Sequence, residues 1–583
     1  MKQSRIAYLT LCIAICWLLI SCGDGKVVTL SAEQKPDQSS PSLADVFSDP
    51  NLEQCIQSTA AQHGWSRTSQ VAGSLDCSGR GISDLAGIEY LTGLTSLNLG
   101  DNQITDISLL GTLANLRNLN LTNNQIKNIS TLSQLINLAS LYLGHNNIDA
   151  IDSLAPVSSL KNLDVSFNAI ENIDSLSELV DLKYLNIAKN SIQDIAALEI
   201  LGQLNELIIA GNSVVSLLPL NNLKMLVFLD ASQNNIQDIS PLENITNLRI
   251  LLLYNNQIQS MLALADITAL EKLYLSNNRI SDILAVSQLV NLTDLLLDGN
   301  QITDINALGN LHALENVLLD NNNINDINVF SIYQYPAIVN LGLSKNNILD
   351  PGPIGSLTSL TRLNLGYNNV STTGFLLNLL NLETLLLESN SISDISSLAG
   401  LVNLQLLKLD NNNISNIDAL APLSKLVVLS IYSNFISDMQ ALNSLFELVS
   451  LNLYGNLIVD LSALAELNKL QQVWLHYNNI NDLSGLQGLS QLLVLHLSGN
   501  QISNLDAIRN LTSLELVSLD NNALSDVSAL TELSNLAELR LSSNPAITCQ
   551  SLALVISLLG SPPVDIDGDV QTQDSVNPGV NCV

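Results

Sequence analysis

The sequence predicts one long solenoid, with a parallel β-sheet of about 22 strands on one face and 3₁₀ turns on the other, from three observations. The first is a period. An L-x-L-x-x-N-x-I unit, as in Leu97-Asn98-Leu99-Gly100-Asp101-Asn102-Gln103-Ile104, starts at residues 75, 97 and 119 and onward in steps of 22 to 317. It then jumps 24 to 341 and resumes in steps of 22 to 539, giving 22 units. The second is a recurring letter: the sixth position is Asn in 21 units, from Asn102 to Asn544, and Arg80 in the first. The third is composition, 47% hydrophobic but only 4% aromatic, which suits a narrow core filled again and again by Leu and Ile. A repeat array grows by stacking, so 583 residues need not divide into separate cores.

The chain opens with Lys2 and Arg5, an apolar run from Ile6 to Ile20, then Ser21 and Cys22. That run falls short of the roughly 20 residues of a membrane span and has the layout of a secretory signal. Its end, Leu19-Ile20-Ser21-Cys22, resembles the bacterial lipobox, which implies a signal peptide at 1–22 and Cys22 as the lipidated mature N-terminus. Several acyl chains, at about 0.8 kcal/mol per buried methylene, would hold the protein on a membrane. Gly23 rather than Asp follows Cys22, and by the sorting rule of such lipoproteins this implies the outer membrane or cell surface in a two-membrane cell.

Residues 23–42 are polar and without apolar period, and read as a flexible tether. In 43–74 an amphipathic helix around Leu52, Ile56 and Ala60 reads as an N-terminal cap, because a solenoid must cover the apolar end of its core. Cysteines mark both ends of the array. Cys55 and Cys77 lie at its start, Cys549 and Cys582 beyond its finish, and none lies between Cys77 and Cys549. An even count so placed reads as two disulfides formed in an oxidising compartment. The alternative, a zinc site, lacks the C-x-x-C spacing it would want.

Within the repeat, Leu97 and Leu99 alternate with Ser96 and Asn98, the pattern of a half-buried strand. Consecutive strands run the same way one whole turn apart, so they must pair in parallel. The Asn at position six stands where the chain leaves the strand, and its amide can satisfy turn groups that the sheet leaves unpaired. An acidic residue recurs two places after the Ile, at Asp84, Asp106, Asp194, Asp238, Asp282, Asp304, Asp326, Asp394, Asp438, Asp460, Asp482 and Asp526. It is placed to cap the next short helix. Twenty-two residues are too few for a strand and a full helix, hence 3₁₀ turns on the back. The 24-residue spacing includes Asn328 to Pro336, NVFSIYQYP, read as a two-residue bulge on the convex side, or alternatively a hinge or contact point.

The unit LTGLTSLNLGDNQITDISLLGTL and its successors resemble the leucine-rich repeat, in the 22-residue subclass of bacterial internalin-like proteins, over residues 75–546. The resemblance implies a curved horseshoe, a concave parallel sheet and a role in protein recognition. Residues 547–583 read as a C-terminal cap. Within it Asp565-x-Asp567-Gly-Asp569 resembles a calcium loop but lacks the later Gly and Glu of an EF-hand, and no metal is assigned.

Composition narrows the function. With 54 acidic against 22 basic residues the chain repels nucleic acid and anionic lipid, leaving the lipid at Cys22 as its membrane contact. Only five His occur, and no nucleophile elbow, phosphate loop or paired-His metal motif; the reading is non-catalytic, without cofactor. Concave positions should be small and polar, as at Asn98, Asn120, Asn186 and Ser430. Two groups depart from this. Ile208, Phe228, Leu252, Tyr254, Tyr274, Leu296 and Leu318 form a central patch, and Tyr432, Tyr454, Trp474, His476, Tyr477 and His496 a later aromatic one. Trp and Tyr are enriched where proteins bind proteins, although cross-strand packing alone also favours them. Asp164, Asp230, Asp298, Asp320, Glu388 and Asp410 line the same face, so a partner with a basic rim and an apolar centre fits. Three roles compete: a lipid-anchored adhesin or receptor for a protein, a glycan-binding envelope protein using Trp474 and Tyr454, and a structural envelope lipoprotein without a ligand.

Overall fold

A computed structural model of the protein describes residues 40–548 together with 551 and 555. The start of the array is closed by helix α1 (Pro50–His63), which buries Leu52, Cys55, Ile56 and Ala60 and ends at Gly64, where φ is 70°. Asp49 starts it. One carboxylate oxygen accepts from the N–H groups of Asn51 and Leu52, and the other accepts from Ser83 and Asp84 in the first repeat. One side chain therefore ties the cap helix to the array. Burial opposes the charge of Asp49, but these four N–H groups outweigh it and hold its carboxyl below the usual range.

The disulfide expected at this end is present between Cys55 on α1 and Cys77 just past the first strand. Closing a loop of 22 residues removes enough unfolded-chain entropy to stabilise the cap by about 3 kcal/mol. Reducing it, or substituting Cys55→Ser, should therefore expose the first repeats to proteolysis and hydrogen exchange while the middle of the array stays protected. Cys549 and Cys582 lie outside the described residues.

Beyond the cap, the strands run from Ala72–Asp76 and Gly93–Asn98 through three-residue strands such as Asn118–Asn120 to Glu538–Arg540. They form a single 22-stranded sheet in which each strand pairs in parallel with the next. The 22-residue step puts equivalent residues opposite one another, as with Leu97 against Leu119 and Leu119 against Leu141. At roughly 4.8 Å per strand the sheet is about 100 Å long. Leu97, Leu99 and Ile104 are at most 1% exposed, and their equivalents build one continuous core between the sheet and a back of 3₁₀ turns such as Ser108–Thr112.

The 24-residue unit leaves the sheet undisturbed: Leu318 still pairs with Gly342. Its two extra residues are taken up on the convex side, where helix α2 (Val329–Ile332) replaces a 3₁₀ turn. Phe330 fills the widened core at 0% exposure and meets Tyr335 edge-on at 5.6 Å.

Candidate functional site

Much of the polar inventory belongs to the fold itself. The Nδ2 group of Asn102 donates to the carbonyls of Cys77, Leu99 and Gly100 at 3.0, 2.9 and 3.1 Å. Its Oδ1 accepts from the N–H groups of Arg80 and Ile82 at 3.1 and 2.9 Å. The pattern repeats along the array, for example at Asn234 and Asn412. Each Asn serves the unit before its own. This is why Arg80 can stand at position six of the first unit: no strand precedes it.

Eleven of the twelve acidic residues expected to cap do so, while Asp84 bonds Ala86 two residues short of the turn Ile88–Tyr90, and the bond has one geometry in all twelve. Each accepts, at 2.8 or 2.9 Å, from the N–H two residues on: Ala86 for Asp84, Ser108 for Asp106, and so on to Ser528 for Asp526. Backbone and side-chain bonds from the following Ser hold the carboxyls of Asp394, Asp482 and Asp526 below the usual range. Most of these carboxylates head a 3₁₀ turn on the convex side.

What remains is the concave face. All six residues of the later group meet there in one network. Tyr432, Tyr454 and His476 occupy the same position in three successive units, with ring centroids 6.0 and 4.3 Å apart, the second pair stacked. Trp474 and His496 face each other across paired strands, nearly parallel at 6.2 Å. Tyr477 closes the group edge-on to Tyr454 at 5.6 Å and to His476 at 6.0 Å, and His496 lies 5.7 Å from His476.

The backbone under Tyr477 is informative. Position five of the unit turns the chain through the left-handed region, with φ of 58° at Asp101 and 57° at Asn255, and Gly at 211, 299, 455 and 499. Asn and Gly sit there at little cost, but a bulky ring costs about 1 kcal/mol or more. Tyr477 holds φ 55° and is 58% exposed, so core packing does not account for the ring. Phe167 and Tyr367 share the feature at φ 52° and 56°. Phe167 stacks on His145 at 4.0 Å, and the Lys345 ammonium lies 5.6 Å over the Tyr367 ring. Sequence reasoning passed over these two pairs, although the 22-residue spacing of His145 from Phe167, and of Lys345 from Tyr367, was there to find them.

Carboxylates flank the cluster. Asp410 stands one unit before Tyr432 and accepts from the Ser430 hydroxyl at 2.6 Å and the Tyr432 N–H at 2.9 Å. Burial pushes its carboxyl up, and Glu388 beside it adds to the effect. Asn411 donates to the Tyr432 hydroxyl at 3.2 Å. At the other end Asp520 accepts from the hydroxyls of Ser498 and Ser518 at 3.2 and 3.3 Å. Both imidazoles sit at the centre. Burial, with the neighbouring His496, lowers His476 from 6.5 to about 4, and burial with Arg540 also lowers His496.

The central patch is less continuous. Ile208, Leu252, Tyr274, Leu296 and Leu318 do share one column, but Asp230 interrupts it between Ile208 and Leu252. Phe228 lies in a different column, opposite Glu206 and Ile250, and Tyr254 in a third, where the Gln233 amide reaches its hydroxyl at 3.4 Å. All seven are half-buried. Burial raises the carboxyls of Asp164, Asp230 and Asp320 on this face; Asp320 also feels Asp298. Cys22 and the calcium-like segment at Asp565 lie outside the described residues.

A family model described as the endo-beta-N-acetylglucosaminidase EndoS LRR domain matches residues 47–168. One described as leucine rich repeats, two copies, matches 224–266, 246–289, 380–422 and 490–532. No curated protein matches the chain. Among solved structures, an internalin of Listeria monocytogenes, InlF, is 31% identical, with a TM-score of 0.53, over 57% of this chain and 98% of its own. The functional domain of InlJ from the same organism, said to include a cysteine ladder, is 22% identical with a TM-score of 0.54 over 68% of this chain and 82% of its own. The plant peptide hormone receptor RGFR1, solved in complex with RGF2, is 20% identical with a TM-score of 0.60 over 82% and 95%. The last two likenesses are of fold.

Proposed function

The chain belongs to the internalin-like leucine-rich repeat proteins, and from that premise we infer that it is a bacterial surface protein binding another protein through its concave face, without catalysis. The observation that supports this most is the six-ring network from Tyr432 to His496, built at positions the fold leaves free and including a Tyr in a strained turn. Its partner carries an apolar centre and a basic rim, matching rings flanked by Glu388, Asp410 and Asp520. Capture of a partner by the full chain, compared with capture by a Trp474→Ala, Tyr454→Ala chain, tests the reading; equal recovery by both overturns it, and binding on a glycan array would replace the protein by a sugar.

The same reading places the protein in the cell envelope, held by lipid on Cys22, with residues 23–42 as tether, 43–74 and 547–583 as caps and 75–546 as the binding array. A Cys22→Ser chain should then leave the membrane fraction and lose metabolically incorporated fatty acid. Unchanged membrane association of that variant would count against the anchor.

A further inference from the structure

The two imidazoles are an unusual choice for the middle of a docking surface, because they alone among its rings can gain a charge near neutral pH. His476 is stacked on Tyr454 at 4.3 Å, faces Tyr477 and His496, and its Nδ1 is sealed from solvent with no hydrogen-bond partner among the described residues. His496 lies against Trp474 on the strand before it. Every pairwise contact that unites the cluster, apart from Tyr432 with Tyr454 and Tyr454 with Tyr477, therefore passes through one of these two rings. We propose that the cluster is an acid-labile latch: its stack is closed while both histidines are neutral and opens when they take up protons, so that a partner held at neutral pH is released in acid.

The chemistry follows from the surroundings. A charged His476 would have a second imidazole 5.7 Å away and no acceptor for its buried N–H. The groups facing it are Tyr454, Tyr477 and His496, with Tyr432, Asp410 and Glu388 one, two and three strands beyond Tyr454, and Asp520 two strands away on the other side. Those facing His496 are Trp474 and His476, with Asp520 and Glu538 of one sign and Arg540 of the other. None of these carboxylates bonds either ring among the described residues, so a proton is better held with the stack open.

The sign is that of a base made weaker by folding. The closed form resists protonation down to about pH 4 at His476, whereas an opened, solvated imidazole protonates near its ordinary value of about 6.5. As pH falls below about 6.5 the opened form thus gains up to tenfold per pH unit for each imidazole. The buried concave carboxyls raised by burial work the other way over the same range, since they become easier to bury when protonated. A loss of aromatic order in that window therefore belongs to the histidines.

The inference rests on the docking reading only for its consequence, because the stack itself is measured on the unbound full chain. Histidine ring NMR and near-ultraviolet circular dichroism are followed from pH 7 to about 4, with far-ultraviolet dichroism reporting the array. The expected result is that His476 titrates between about 4 and 6.5, and that the near-ultraviolet signal falls with it over that range while the far-ultraviolet signal holds. A His476→Phe, His496→Phe chain, whose rings cannot protonate, should keep its near-ultraviolet signal through that window. Two outcomes overturn the latch: both histidines titrating near 6.5 in an unchanged aromatic signal, or a wild-type signal constant to pH 4. Should the double variant fail to fold, the wild-type titration decides alone. Loss of capture on removing Trp474 stands or falls separately.

Discussion

Replacing Asn234 by Ala should destabilise the array by roughly 3 kcal/mol, although the side chain is one of 21 alike. Its Oδ1 is the partner of the Val214 N–H at 2.9 Å, and its Nδ2 donates to the carbonyls of Ile209, Ala231 and Ser232. The costs are unequal. Ile209 and Ala231 carbonyls each receive a second Asn, Asn212 and Asn256, so they lose one bond of two. The Val214 N–H loses its bond outright in a site where the Asn is 7% exposed, and an orphaned buried donor is the expensive case. Asn234→Asp keeps the acceptor but turns a carboxylate toward three carbonyls, so it should be worse than Ala at neutral pH and improve on acidification. Asn98→Ala, which removes only an acceptor for the Gly100 N–H at a half-buried site, should cost under about 1 kcal/mol. Because repeat arrays can open in part, the check is hydrogen exchange at Val214 and its neighbours alongside urea unfolding. Equal effects at Asn98 and Asn234 would contradict a structural ladder.

This uneven accounting also explains what was legible in the sequence. The core, the ladder and the capping carboxylates each obey a rule local to one repeat, and a rule repeated so often cannot hide: the register from Leu75 to Leu539, the run from Asn102 to Asn544 and the twelve Asp residues are all readable in the sequence. The pairing of Cys55 with Cys77 was readable because the two stand together at the start of an array that holds no other cysteine before Cys549. The lettering could not show direction. That each Asn serves the preceding unit, and so frees Arg80, depends on the handedness of stacking. Nor could it show Asp49, one residue bridging two elements by both oxygens, since no repeat contains its equivalent. For the concave face, spacing located the rings, but which of them touch depends on side-chain direction between columns. The six later rings converge, whereas Phe228, Tyr254 and Leu252 fall into three columns.

That distinction sets the last expectation. If the rings from Tyr432 to His496 serve only to cover one another, Trp474→Ala and Tyr454→Ala should lower the midpoint of unfolding and leave partner capture alone, as cross-strand pairs worth about 0.2–1 kcal/mol would. If they bind, each should cost about 2 kcal/mol or more of affinity, some thirtyfold, with little effect on the array, whose core these side chains do not enter. The two changes are not independent, because Tyr454 touches His476 and Trp474 touches His496, and those imidazoles touch each other. The double variant should therefore lose about a hundredfold to a few hundredfold in affinity without reaching the simple sum of some nine-hundredfold. Two controls separate a specific surface from general stickiness. Leu262 and Leu284 are 73% and 67% exposed at the start of convex 3₁₀ turns, and Leu262→Ala with Leu284→Ala should leave capture unchanged. Leu252→Ala with Leu296→Ala, in the column broken by Asp230, should weaken capture far less than the ring pair, because hot spots need a closed apolar centre from which water is excluded. Calorimetric or surface-binding measurement with the captured partner reads all three, and a central-patch loss as large as that at Trp474 would move the binding centre about 43 Å along the sheet.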